Sequence, residues 1–227
     1  LKLTALLVPT LAAVALAAPC AAHAATLTTD KACYGPGEPV LFTGLGFTAS
    51  GQAALTTGGQ QLGLVTVNPV GEFELGLTAP LIDAKQRTDT FTATDQANLA
   101  LTASVGVRLT SIDVTAKPKN GKPGRRQLIK ARGFTTGKTL WAHIRRGRSK
   151  RNVKVGKLKK PCGTLSLRKR LFSPNAKTGA YTVQFDAKRK YSSETAPSVT
   201  FVVTVFQTIK PASASGATTG ERWTRTR

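Results

Sequence analysis

The sequence predicts an all-β chain built of two tandem β-sandwich domains, and three observations carry that expectation. Apolar residues alternate with polar ones in many short runs, Pro and Gly turn signals recur at short intervals, and one block of the pattern returns about 90 residues later. A period of two buries one face of a strand. Turns spaced roughly 8–12 residues apart between such strands are the mark of a sandwich. No amphipathic helix is read after residue 24.

The chain opens with LKLTALLVPTLAAVALAAPCAAHA. Lys2 precedes an apolar run from Ala5 to Ala18, broken only by Pro9 and Thr10, and Ala22-His23-Ala24 has the small-x-small form of a secretory cleavage site. Residues 1–24 are therefore expected to be a signal peptide, with the exported protein beginning near Ala25. An uncleaved anchor is the alternative, but the run is shorter than the about 20 residues of a spanning helix. Leu1, in a chain without Met, reads as an alternative start codon translated literally, which points to a bacterial gene. The expected location is secreted or at the cell surface.

Next comes the repeat. Residues 36–48 read PGEPVLFTGLGFT and residues 123–135 read PGRRQLIKARGFT, with Pro-Gly and Gly-Phe-Thr in register at an offset of 87. GEFELGL at 71–77 matches GTLSLRK at 163–169, and DTFTATD at 89–95 resembles GAYTVQFD at 179–186. This period exceeds the roughly 20–50 residues of a solenoid repeat, so it is one small domain copied once. Pro followed by Gly specifies a type II turn, because Pro presets φ and Gly accepts a positive φ. Phe73, Leu75 and Leu77 alternate with polar or small neighbours, as do Tyr181, Val183 and Phe185, and Val199, Phe201, Val203 and Val205.

The expected boundaries are 26–110 for the first, slightly acidic sandwich and 111–209 for the second, strongly basic one. The junction RLTSIDV has little Gly or Ser and reads as a stiff, end-to-end connection. Residues 210–227, KPASASGATTGERWTRTR, are small and polar and are expected to be a disordered tail.

The stretch KACYGPGEPVLFTGLGFTASG resembles the opening of the immunoglobulin-like domains of secreted bacterial surface proteins, where a Pro-Gly turn precedes a strand closed by Gly-Phe. The resemblance covers both halves, roughly 26–209. It implies tandem immunoglobulin-like β-sandwiches with Greek-key wiring, and it implies no single function, since such domains serve as spacers, adhesins and binding modules. The paired cysteines around a buried Trp of antibody domains are missing within either half.

Beyond residue 24 two cysteines remain, Cys33 and Cys162. In an exported protein an even count is compatible with one disulfide, and equally with two small buried thiols. A bridge between them would tie the two domains together.

The charge is divided unevenly. Of a formal +22, residues 26–110 contribute four Lys/Arg against seven Asp/Glu, net −3, and residues 111–209 contribute 24 against three, net +21. Crowding like charges destabilises a compact state, so the concentration in one copy points to a polyanionic partner: a cell-wall glycopolymer, an acidic polysaccharide or a nucleic acid. The alternative is a structural spacer module whose charge keeps its surface solvated in an acidic envelope. The run RRGRSKRNVKVGKLKK at 145–160 centres the expectation on Arg145, Arg146, Arg148, Lys150 and Arg151, held on one rim by a hairpin with Gly147 near its tip. Lys157, Lys159, Lys160, Arg168 and Arg170 are expected in support. In TLWAHIRR, Leu140, Ala142 and Ile144 share one face, leaving Trp141, His143 and Arg145 outside, where Trp141 is placed to stack on a sugar or base. The competing arrangement buries Trp141 as the sandwich Trp, together with His143 and Arg145.

Catalytic chemistry is not read from this inventory. His143 is the single His outside 1–24. A zinc site needs about four ligands, and no such cluster is seen. GLGFTASG at 44–51 lacks the spacing and following helix of a phosphate loop. The acids of the first half pair into no recognisable dyad. The expectation is a non-enzymatic binding protein with no cofactor, no metal and no specific small molecule.

Overall fold

The computed structural model describes residues 24–207, so all but Ala24 of the expected signal peptide (1–24), and the expected tail (210–227), lie outside the described residues. The described residues are all β, in antiparallel sheets and without a helix. Seven strands form the N-terminal half: β1 (Thr26–Thr29), β2 (Pro39–Leu45), β3 (Gln52–Thr57), β4 (Gln60–Thr66), β5 (Glu72–Thr78), β6 (Gln86–Asp95) and β7 (Thr102–Thr110). Seven more follow: β8 (Asp113–Lys117), β9 (Arg126–Arg132), β10 (Thr139–Arg146), β11 (Ser149–Lys157), β12 (Leu165–Arg170), β13 (Gly179–Asp186) and β14 (Ser198–Val205).

The sheets have orders β1-β2-β5 and β4-β3-β6-β7 in the first half, and β12-β9-β8 and β11-β10-β13-β14 in the second. The chain crosses between sheets after the second, fourth and fifth strand of each half, which is the Greek-key wiring of an immunoglobulin-like sandwich. Leu27, Phe42, Leu55, Phe73 and Val107 are buried in one core, and Ile129, Phe134, Leu140, Phe185 and Val203 in another. Each core draws on both of its sheets, as period-two strands require.

The two halves share one strand order and one wiring. Gly37 and Gly124 both have φ of 73°, and Glu38 N–H to Gly35 C=O (3.2 Å) and Arg125 N–H to Lys122 C=O (3.3 Å) close the two Pro-Gly turns. Only a residue without Cβ takes this φ at no cost. Tyr34 pairs with Leu109, and Gly121 with Val205, in matching parallel bridges.

Only Ser111 and Ile112 separate β7 from β8. Cys33 and Cys162 are joined by a disulfide across the junction, with Cα atoms 5.2 Å apart. Arg132 Nε donates to Ser111 Oγ at 3.2 Å, the Thr135 hydroxyl donates to the Glu38 carboxylate, and Lys31 Nζ lies 3.6 Å from the other Glu38 oxygen. The short connection, the covalent bridge and the Thr135–Glu38 hydrogen bond together hold the second half against the first.

Candidate functional site

The ten cations singled out from the sequence do not form one rim. Strand β10 runs on to Arg146 and β11 starts at Ser149, so only Gly147 and Arg148 form the turn. Gly147 has φ 54°, the positive value that two-residue hairpin turns need at their first central position. Because the strands continue into the basic run, its side chains alternate between faces. Arg145 lies opposite Lys150 on the face that carries Trp141 and His143, while Arg151 lies opposite Ile144 and Arg146 opposite Ser149, on the core side beyond the end of the core. The Arg146 guanidinium stands over the Tyr181 ring at 5.5 Å. Arg148 is exposed at the tip.

A second group points toward the junction. Lys157 ends β11, Lys159 is exposed in the turn that follows, and Lys160 Nζ donates to the Thr135 carbonyl, next to Glu38. Lys160 is therefore tied to the contact between the halves rather than presented with the hairpin. Arg168 and Arg170 form a third group on β12, in the opposite sheet.

His143 corrects the sequence expectation more sharply. It faces away from the core, yet it is only 1% exposed. Residues 187–197 fold back over this face and cover it. His143 Nδ1 meets Asn152 Oδ1 at 2.8 Å, and Nε2 meets Asp186 Oδ1 at 3.0 Å and the Lys188 carbonyl at 3.1 Å. Gln184 Nε2 donates to Asp186 Oδ2 at 2.9 Å and to the Ser192 carbonyl at 2.8 Å. The polar groups that make burial costly are thus supplied with partners. Trp141 stays on the outward face, half-buried between Lys154 and Asp186 on the flanking strands.

The same loop builds a cationic shelf that the sequence did not announce. The Tyr191 ring packs edge-on to His143 at 5.8 Å, with the Arg145 guanidinium over it at 4.9 Å and Lys150 Nζ at 5.4 Å. Arg145 also donates to the Tyr191 hydroxyl, and its Nε is buried without a partner among the described residues. Lys188, Arg189 and Lys190 are exposed beside them.

The densest array of cations lies on the opposite, three-stranded sheet. Strand register puts Arg126, Leu128, Lys130 and Arg132 of β9, Arg168 and Arg170 of β12, and Asp113, Thr115 and Lys117 of β8 on one outward face. Lys117, Arg126, Lys130, Arg168 and Arg170 are all exposed. The single acid, Asp113, is taken by Arg132 at 2.9 Å. Arg126, Arg168, Lys169 and Arg170 line an open cleft of about 340 Å³. Neighbouring strands lie about 4.8 Å apart and alternate residues about 6.6 Å apart, so each of these charges lies within roughly one Debye length, about 8 Å, of its nearest cationic neighbour. Sequence reasoning passed over Arg126 and Lys130, although the alternation in RRQLIKAR marks them as outward against Gln127, Ile129 and Ala131.

No family model matches this chain, and no curated protein matches it. Solved structures with similarity include a tetra-tandem repeat from the extending region of a large adhesion protein, at 13% identity and TM-score 0.29, covering 80% of this chain and 48% of that one. A protein from Corynebacterium diphtheriae described as membrane-anchored has 12% identity and TM-score 0.34, covering 80% and 57%. The human OSCAR ligand-binding domain has 14% identity and TM-score 0.35, covering 79% and 95%. This chain thus spans about half the length of the first two.

Proposed function

We propose that the chain is a non-enzymatic binding protein, secreted or held at the cell surface, whose C-terminal sandwich binds a polyanion. The observation that carries this reading is the face of β8, β9 and β12, where five exposed cations meet one acid that already has a partner. A fold has no need of such a face, and like charges directly opposite on a sheet are destabilising. Polymers with regularly spaced negative groups, whether wall glycopolymer, acidic polysaccharide or nucleic acid, fit it by charge and reach. The hairpin shelf of Arg145, Lys150 and Tyr191 is a second platform, where a sugar or base ring has both cations and an aromatic edge to meet. The disulfide supports export, since such bonds persist in oxidising compartments.

The test compares two fourfold variants of the full chain, Arg126, Lys130, Arg168 and Arg170 to Ser, and Arg145, Arg146, Arg148 and Arg151 to Ser. Binding to a DNA duplex, an acidic polysaccharide and a wall glycopolymer of matched charge density is measured across a salt series. For the duplex, each lost phosphate contact should flatten the slope of log affinity against log salt by about 0.9. Preference for one polymer at equal charge density, lost in either variant, supports a binding site. Equal, weak retention on every polymer in wild type and variants alike overturns it. That outcome favours the spacer module, for which the two-residue connection and the bridged junction are the supporting observations.

A further inference from the structure

The N-terminal sandwich has an apolar cleft of about 410 Å³ between its sheets, and the second copy of the fold shows what such a space holds. Val40, Phe42, Leu77, Phe91, Val107 and Leu109 form its walls, and the ion pair of Arg87 with Asp89 (2.8 Å) stands among them. All six belong to or pack against the core of that half. An apolar concavity of this size with one polar pair is the usual form of a binding pocket.

Strand register gives the equivalent positions. Val40 and Phe42 pair with Leu77 and Leu75, and the residues 87 further on, Gln127 and Ile129, pair with Lys169 and Leu167. Hence Ala79 and Pro80, which follow β5, correspond to Leu171 and Phe172, which follow β12. On the next strand Leu55 pairs with Ala93 and its counterpart Ala142 with Phe185, so Asp89 corresponds to Tyr181. In the second sandwich Phe172 is 6% exposed and its ring lies 5.0 Å from that of Tyr181, closing this end of the core. The space lined there by Phe172, Val203 and Val205 is only about 10 Å³. The first sandwich has Pro and Asp where the second has two rings in tilted contact, and the cleft is the difference.

We infer that the N-terminal sandwich is a receptor for an aromatic side chain carried by an extended polypeptide segment with basic residues beside it. Three features select that occupant. Phe42, Phe91, Val107 and Leu109 of the walls correspond to the apolar Ile129, Val183, Val203 and Val205 of the other copy, two of which line the space beside Phe172, while Val40 and Leu77 replace Gln127 and Lys169 and make the cleft more apolar. The mouth is bordered by β4, which carries the 45% exposed Leu62, and by β5, and both are edge strands of their sheets. An extended segment can pair its main chain with such an edge and direct alternate side chains into a pocket. Finally, this half has a net charge of −3, complementary to a basic segment. The cleft and the cationic face lie in different halves of the chain.

A suitable probe is a synthetic nonapeptide with the sequence of residues 166–174, SLRKRLFSP, which holds the second copy's own aromatic plug among basic residues. Titrated into isotope-labelled full chain, it should produce saturable NMR shifts at Val40, Leu77, Val107 and Leu109. The same peptide with Phe replaced by Ala should bind at least about tenfold more weakly, the loss expected for one buried aromatic side chain. Pro80→Phe, which restores the plug, and Leu62→Arg, which obstructs the exposed mouth without touching the core, should each abolish the shifts. Equal response to the Ala peptide overturns the inference, as does full affinity in both variants. N-acetylphenylalaninamide binding as tightly as the peptide would make this a pocket for small aromatic molecules instead. A dimer of the protein alone that Leu62→Arg dissociates would make a second copy the occupant. Either result overturns the assignment to a polypeptide partner.

Discussion

Arg126 and Arg170 stand directly opposite each other on neighbouring antiparallel strands, both exposed, with Arg168 two residues along. Opposed like charges on a sheet cost stability. Arg170→Thr should therefore raise the unfolding free energy by a few tenths to about 1 kcal/mol at low salt. The gain should shrink as salt screens the pair. Denaturant unfolding at two ionic strengths measures both. A variant that is more stable and yet binds polyanion less well would identify the pair as kept for binding.

Cys33 and Cys162 close a loop of 129 residues in sequence separation and fasten the two sandwiches at their junction. In the chain-entropy description a loop of that length contributes about 5 kcal/mol. The double substitution Cys33→Ala with Cys162→Ala should lower stability by up to that amount. Each half keeps its own core, so the variant should unfold in two separable steps where the bridged protein unfolds in one. Calorimetry of oxidised and variant protein distinguishes the two patterns.

Much of this architecture was legible because the repeat and the alternation are local. The Pro-Gly turns at residues 36–37 and 123–124 and the alternating rows at Phe73–Leu77 and Tyr181–Phe185 stand where the pattern put them. Placing the cations of RRGRSKRN together on one rim was the source of the error at the candidate site. Strands β10 and β11 persist almost to Gly147, so alternation divides Arg145 from Arg146 and Lys150 from Arg151. His143 was misjudged for a different reason. Its facing was read correctly, but nothing local tells that residues 187–197 turn back and provide partners from a distance of more than 40 positions. The sequence match between DTFTATD and GAYTVQFD also ends on unlike residues, since Asp95 lies beside Ala53 and Asp186 beside Trp141.

Asp95 is fully buried and accepts hydrogen bonds from the backbone N–H groups of Thr48 (2.6 Å), Ala97 (2.8 Å) and Asn98 (2.9 Å). Burial alone pushes its carboxyl up, but the bonds from Thr48, Asn98 and Ala97 outweigh it and hold the group below the usual carboxylate range. A lowered folded-state value means that the carboxylate stabilises the fold above the unfolded value of about 3.9. That contribution is lost as pH falls through the folded value. Asp95→Ala should cost about 2 kcal/mol at pH 7. The gap between wild type and variant should narrow steadily below about pH 4. Urea titrations at a series of pH values follow it.

A buried histidine clamps the hairpin shelf to the strands beneath it. His143 links three segments, with Asn152 on β11, Asp186 at the end of β13 and the Lys188 carbonyl in the covering loop, while its ring supports Tyr191. Removing the ring takes one partner from a fully buried carboxylate, which keeps only Gln184 Nε2 and the Lys188 N–H. His143→Ala should thus destabilise the chain by about 2–3 kcal/mol, the cost of buried groups left without partners. The loss should be local before it is global. Hydrogen exchange should quicken across Lys188–Ser192 while the core of β9 and β12 stays protected, because loops open at lower free energy than core strands. With Tyr191 released, Arg145 and Lys150 lose the ring that holds them together. The variant should then lose any binding that depends on stacking at this shelf, and keep the salt-dependent binding carried by Arg126, Lys130, Arg168 and Arg170. Unchanged exchange in the covering loop would show that the clamp contributes nothing to its order.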